Sequence, residues 1–135
     1  MTTTKTIFTT GKRKRAVARA RFTPGKGIIK VNTQPLNTIR NELTRMKMTE
    51  PLALVGDAWK KYDIRVTVRG GGLIGQADAV RQAISRGLAQ LLPGTKETFL
   101  RYDRFMMVYD PRRTEPHKPP RSSQGPRRYK QRSKR

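Results

Sequence analysis

Apolar and polar residues alternate strictly along Arg15-Ala16-Val17-Ala18-Arg19-Ala20-Arg21-Phe22. A strand with this pattern puts Ala16, Ala18, Ala20 and Phe22 on one face and Arg15, Val17, Arg19 and Arg21 on the other. The small face can sit close beneath a helix. Upstream, Lys5 to Phe8 alternates weakly and predicts an edge strand. Downstream, Pro24-Gly25-Lys26-Gly27 predicts a turn, with Ile28 to Val31 as the return strand of a hairpin. Tyr62 to Arg69 is the clearest strand, with Ile64, Val66 and Val68 on one side and Arg65, Thr67 and Arg69 on the other.

Helical spacing comes in three places. Leu36, Ile39, Leu43 and Met46 recur at three and four and predict a short helix over 38–46. Thr49-Glu50-Pro51 predicts a second start, with Thr49 as cap and Pro51 in the first turn. The longest helix is predicted over 76–92. Its stripe is Ala77, Val80, Ile84, Leu88 and Leu91, with Asp78, Gln82, Arg86 and Gln90 lying away from it. Pro93-Gly94 ends it, and Lys96 to Arg101 predicts one more short helix. Met106 and Met107 read as core filler, as do the aromatics Trp59, Tyr62, Tyr102, Phe105 and Tyr109. The order predicts an α+β fold, a small mixed β-sheet with helices packed on one face.

Charge changes the picture. The chain has 135 residues, 31 Lys plus Arg against 9 Asp plus Glu, and a formal net charge of +22. Such a chain is best neutralised by a polyanion, and nucleic acid is the commonest. No amphipathic helix with basic flanks suggests a membrane surface instead. The absence of cysteine excludes disulfides and thiolate zinc sites, and the one histidine, His117, makes no metal site alone. No metal or cofactor is expected, and no apolar run approaches a membrane span. The default location is cytoplasmic.

The charge is also uneven. Residues 111–135 hold ten basic side chains, one acid and five prolines, and their only large apolar side chain is Tyr129. That segment is expected to be an extended basic tail, disordered alone and ordered on an anion. The globular domain is then 1–110 and the tail 111–135.

Three features carry candidate chemistry. The cluster Lys12, Arg13, Lys14 and Arg15 runs into the arginine face of the alternating strand. Arg19 and Arg21 follow at about 7 Å intervals, near the spacing of successive phosphates. Against a solvated turn, that register favours a phosphate clamp. Gly70-Gly71-Gly72 joins a strand to a helix, where backbone N–H groups are free. It lacks the Lys-Ser/Thr of a P-loop and the spaced glycines of a dinucleotide turn, and Asp78 has no second carboxylate to share a magnesium ion. An RNA backbone contact or a purely structural turn fits better than a nucleotide enzyme. No nucleophile–base–orienter set is present. In the tail, Tyr129 lies between arginines and is placed to stack on a base.

Together these residues resemble the family of ribosomal protein nine of the small subunit, over nearly the whole chain. The resemblance rests on Thr10-Gly11-Lys12-Arg13-Lys14, Pro24-Gly25-Lys26-Gly27, Glu50-Pro51-Leu52 and Val66-Thr67-Val68-Arg69-Gly70-Gly71-Gly72. It continues in Gly75-Gln76-Ala77-Asp78-Ala79-Val80-Arg81 and in the run from Asp110-Pro111-Arg112-Arg113 to His117-Lys118-Pro119. The archaeal branch is the most similar. The resemblance implies a fold like domain two of ribosomal protein five, with a left-handed βαβ crossover where the usual rule gives a right-handed one. It implies a structural, non-enzymatic role in the head of the small subunit. Ribosomal RNA would be held by Lys12, Arg13, Lys14, Arg15, Arg19, Arg21, Arg69, Gly70, Gly71, Gly72, Arg112, Arg113, Lys118, Arg121, Arg127 and Arg128. Neighbouring proteins of the head would be partners. The tail end, Ser133, Lys134 and Arg135, would contact P-site transfer RNA. Relatives of that branch usually end Lys-Ser-Tyr-Arg; this chain ends Gln-Arg-Ser-Lys-Arg and keeps the terminal arginine without the tyrosine. Two rivals from other classes are a DNA-compacting protein and a small phosphotransferase.

Overall fold

A computed structural model describes residues 5–131 and Ser133. Strands β1 (Ile7–Arg13), β2 (Ala16–Pro24), β3 (Ile29–Val31), β4 (Gln34–Pro35) and β5 (Tyr62–Arg69) form one mixed sheet. Helices α1 (Glu42–Val55), α2 (Leu73–Leu91) and α3 (Thr95–Tyr102) complete the α+β fold. The sheet order is β1-β2-β5-β3-β4. Only β3 and β5 are parallel.

The alternation of β2 is realised residue by residue. Ala16, Ala18, Ala20 and Phe22 are buried, and Arg19 and Arg21 are exposed. The small inner face lets α2 lie almost backbone to backbone on the sheet. A Cβ added at Gly11 would stand 2.0 Å from the Ala79 carbonyl oxygen and 2.7 Å from Ala83 N. Ala77, Ala79 and Ala83 answer from the helix side, all fully buried. Thr9 Oγ1 donates to the Ala83 carbonyl at 2.8 Å. Further along, Gly87 gives room to the Phe22 ring, 2.0 Å from where a Cβ would sit. Ile64, Ile84, Leu88 and Phe99 are among the largest fully buried core side chains, each contributing roughly 1.5–3 kcal/mol through burial.

The same helix covers the open edge of β1. Lys12 N–H donates to Gln82 Oε1 at 2.8 Å, and Arg86 Nη1 donates to the Thr10 carbonyl at 2.8 Å. An unpaired edge would otherwise template pairing with another chain. Gln82 is therefore buried against β1, not turned away as the helical wheel suggested. Periodicity cannot see that an amide is needed to finish a sheet edge.

Four other expectations are corrected. The first strand begins at Ile7 and runs to Arg13, so half of the basic cluster is strand. The predicted β2–β3 hairpin is absent: β5 inserts between the two, pairing antiparallel with β2 and parallel with β3. Asp63 at the start of β5 holds the connecting loop, its Oδ1 accepting from Lys26 N, Gly27 N and Ile28 N at 2.8–3.0 Å. The bond from Ile28 does most to keep that carboxyl below the ordinary aspartate range. Asn32 extends the parallel ladder with its side chain, exchanging hydrogen bonds with Val68 N and O. Third, α1 is one helix capped by Asn41, and Pro51 lies inside it. Pro51 is fully buried, and packing of its ring compensates for the missing N–H. The inward residues of α1 are Thr44, Met48, Pro51 and Leu52, while Leu43 and Met46 are 51 % and 58 % exposed. Fourth, of the C-terminal apolar run only Met106 is fully buried. Tyr102, Phe105 and Tyr109 are exposed and Trp59 and Tyr62 half-buried.

Candidate nucleic-acid interface

The helices occupy one side of the sheet, so the other side is surface. Strand register sets what it shows. Phe8, Arg21, Arg65 and Lys30 stand opposite one another across four strands. Thr10, Arg19 and Thr67 form the next row, and Lys12, Val17 and Arg69 the third. Strands are about 4.8 Å apart and alternate residues about 7 Å apart. The six cations Lys12, Arg19, Arg21, Lys30, Arg65 and Arg69 are all exposed, and among the described residues none forms an ion pair. The one acid nearby, Asp63, spends its Oδ1 on three backbone N–H groups and feels the Arg65 charge without forming an ion pair with it. A grid of donors at this spacing can accept anions spaced along a strand.

The cluster at the end of this face divides. Lys14 and Arg15 make the β1–β2 turn and are exposed, Lys14 at φ 54°. Arg13 points the other way, into an ion pair with Asp110. Asp110 also takes Arg112 Nη2 at 2.8 Å, and that bond, with the Arg13 charge, holds its carboxyl at about 2. Arg13 is thus a tie between sheet and tail root, whereas its neighbours Lys12, Lys14 and Arg15, expected with it as a phosphate clamp, are exposed. Arg113 Nη1 donates to the Lys14 carbonyl at 3.1 Å, so the tail starts beside the same turn.

Gly70, Gly71 and Gly72 lie against that turn. Gly70 and Gly71 have φ of 80° and 68°, and added Cβ atoms would stand 2.6 Å from Arg15 O and 3.0 Å from Ala16 N. Those two glycines answer a packing demand. Gly72 meets nothing within 4 Å and is the N-cap of α2, with no side-chain bond closing the helix end. A hollow of about 560 Å³ opens there, lined by Lys14, Arg15, Gly71, Gly72 and Thr114 among others. Asp78 nearby is bound by Lys47 at 3.0 Å. Among the described residues no group of three His, Cys, Asp or Glu side chains is placed to hold a metal ion.

In the tail, Glu115 takes Lys118 Nζ and Arg127 Nε at 2.6 and 2.7 Å. Lys118 and then Arg127 hold its carboxyl at about 2. Arg121 stacks on Tyr129 with 3.9 Å from guanidinium carbon to ring centroid. Arg121 bridges to Tyr129 across a local turn, and Ser122 N donates to Arg128 O, so residues 121–129 double back where a straight run was expected. His117 Nε2 lies 2.8 Å from the Ser122 carbonyl. Arg128 and Ser133 are exposed; Lys134 and Arg135 lie outside the described residues.

Lys30 and Arg65, absent from the residues expected to bind, share the outward row of Arg21. Arg65 had been placed outward by alternation, and Lys30 sits between inward Ile29 and Val31. What hid them was the wrong partner for β3, which left both strands without a position beside Arg21.

These features define a class: a small α+β protein with its helices on one side of the sheet and a cationic surface on the other. Comparison with known proteins narrows it. The family described as ribosomal protein S9/S16 matches residues 11–135. A small ribosomal subunit protein uS9 from Methanococcus maripaludis strain S2 is 43 % identical over 131 residues, covering 96 % of this chain and 98 % of the relative. One from Methanococcus vannielii is 44 % identical over the same coverage. The chain belongs to the ribosomal protein S9/S16 family, and these relatives are archaeal.

Proposed function

We propose that this chain is a non-enzymatic structural constituent of the small subunit of the cytoplasmic ribosome, seated on ribosomal RNA by its outward sheet face. The observation that carries this reading is the six-cation grid, which no acid of the described chain neutralises. The contacts are to phosphate and sugar and give position without base identity; RNA shape supplies the selectivity. Lys12, Lys14, Arg15, Arg19, Arg21 and Arg69 act with Lys30 and Arg65, and Gly72 offers backbone N–H groups beside them. Residues 1–110 are the domain and 111–135 the tail. Arg112, Arg113, Lys118, Arg121, Arg127 and Arg128 line RNA as the tail runs inward, with Arg112, Lys118 and Arg127 exchanging carboxylate partners for phosphate. Ser133, Lys134 and Arg135 reach P-site transfer RNA, and other head proteins flank the domain.

The family's left-handed crossover is part of the same reading, and its support is chirality. Consider β5 pointing up with Ile64 and Val66 toward the viewer, on the helix side. An L-residue so placed sends its own N–H and C=O to the right. Ile64 N donates to Ile28 O and Val66 O accepts from Asn32 N, each at 2.9 Å. So β3 lies to the right of β5, and the chain passes from β3 through α1 to β5 leftward in front of the sheet.

Removal of residues 133–135 tests both halves. The truncated chain should sediment stoichiometrically with salt-washed small subunits. Those subunits should bind P-site transfer RNA roughly ten- to a hundredfold more weakly, the scale of one or two charge-assisted contacts. Absence of the intact chain from washed subunits would overturn the reading, and unchanged transfer-RNA affinity would remove the tail contact.

A further inference from the structure

We propose that Phe8 is a stacking platform for one unpaired RNA base at the edge of the cationic sheet face. The proposal rests on the RNA reading above and adds a ligand class to it. Phe8 is 72 % exposed, more than any other large apolar side chain described. Its direction is fixed by the pleat: Thr9 and Gly11 are buried under α2, so Phe8, Thr10 and Lys12 face out. Its neighbours on that face of β1 are polar, as a solvated edge requires; Phe8 is the exception.

Register gives the exception a setting. Phe8 stands opposite Arg21, Arg21 opposite Arg65, and Arg65 opposite Lys30. One transverse row therefore reads aromatic, cation, cation, cation. The Arg21 guanidinium carbon is 5.9 Å from the Phe8 centroid. In the tail the corresponding distance from Arg121 to Tyr129 is 3.9 Å, a close guanidinium stack on a ring that stays 67 % exposed. At 5.9 Å the Arg21 guanidinium does not stack closely on the Phe8 ring, which stays 72 % exposed. Ring and cations in one line match what single-stranded RNA offers: a π face from a splayed base, and phosphates running away from it along the strand. Charge complementarity selects RNA over an apolar protein partner, which would have to desolvate the surrounding arginines without neutralising them.

The experiment uses the full chain and an RNA hairpin with a single unpaired adenosine. Twin hairpins have that nucleotide abasic or omitted, and binding is read by fluorescence anisotropy. Phe8→Ala should bind the bulged hairpin roughly tenfold more weakly than wild type. It should bind the abasic and fully paired twins as wild type does, with an unchanged thermal midpoint. Phe8→Trp should restore the bulge preference. Equal weakening on all three RNAs, or no weakening on any, would overturn the platform while leaving the cationic face intact. If the wild-type chain bound none of the hairpins at low salt, the RNA reading itself would fail with it.

Discussion

Among the described residues, cations on the outer sheet face form no ion pair, whereas several along the seam of β1, α1, α2 and the tail root do. Arg19, Arg21, Lys30, Arg65 and Arg69 belong to the first group. In the second, Arg13 pairs with Asp110 and Lys47 with Asp78, and Arg81 bridges Glu50 and Asp103. A net charge of +22 therefore describes two populations. Glu50, Asp78, Asp103 and Asp110 sit where distant elements meet, and among the described residues the cations of the sheet face form no ion pair. Side chains of one type, a few residues apart, do different work according to which way the pleat turns them.

The comparison is sharpest where the face is emptied. Replacing Arg19, Arg21, Arg65 and Arg69 together with Gln should lower affinity for small-subunit ribosomal RNA roughly a thousandfold, at about 1 kcal/mol per lost contact. The slope of log affinity against log salt should fall by roughly three to four. The thermal midpoint should stay or rise, because the four repel one another. A salt titration beside a thermal melt measures both.

On the seam side the expected loss is in stability. Gly11→Ala drives a methyl toward the Ala79 carbonyl, 2.0 Å away. Backbone cannot swing aside as a side-chain tip can. Overpacking of this kind costs about 1–3 kcal/mol, visible in urea unfolding, with the salt slope of RNA binding unchanged.

The smallest effect is a pH dependence. The Asp110 carboxyl is held at about 2 against an ordinary 3.8, first by Arg112 and with help from Arg13. A carboxyl depressed on folding stabilises above its unfolded value and loses that contribution as pH falls through the folded one. Wild type should therefore lose stability between about pH 4 and 2 more steeply than Asp110→Asn. Parallel curves would show that the Arg13–Asp110 tie contributes nothing.

Legibility in the sequence followed the same division. The arginine face of β2 was readable because alternation is local: Arg19 and Arg21 lie outward whatever β2 pairs with. The long helix was readable from Ala77, Val80, Ile84 and Leu88, all of which are buried. Topology was not. The order Pro24-Gly25-Lys26-Gly27 suggests a hairpin to any local rule, and only Asp63, 36 residues from Gly27 in the chain, reveals that the loop serves a parallel crossover. Pro51 suggested a helix start because its burial inside α1 depends on tertiary contacts. Leu43 and Met46 had the spacing of a core stripe and the exposure of a surface. Arg13 looked like its neighbours until Asp110, far along the chain, came beside it. Burial set by local periodicity was legible in β2, β5 and α2, whereas pairing between distant strands and single distant contacts such as Arg13–Asp110 were not.

The outward face can be interrogated directly because the chain has no cysteine, so one introduced thiol is unique. A tethered iron chelate at Thr67→Cys sits at the centre of the cationic grid, and one at Gln90→Cys sits on the exposed side of α2. In reconstituted small subunits, hydroxyl radicals from position 67 should cut adjacent ribosomal RNA strongly, and those from position 90 weakly. Equal cutting from both, or stronger cutting from position 90, would contradict the assignment of the sheet face to RNA.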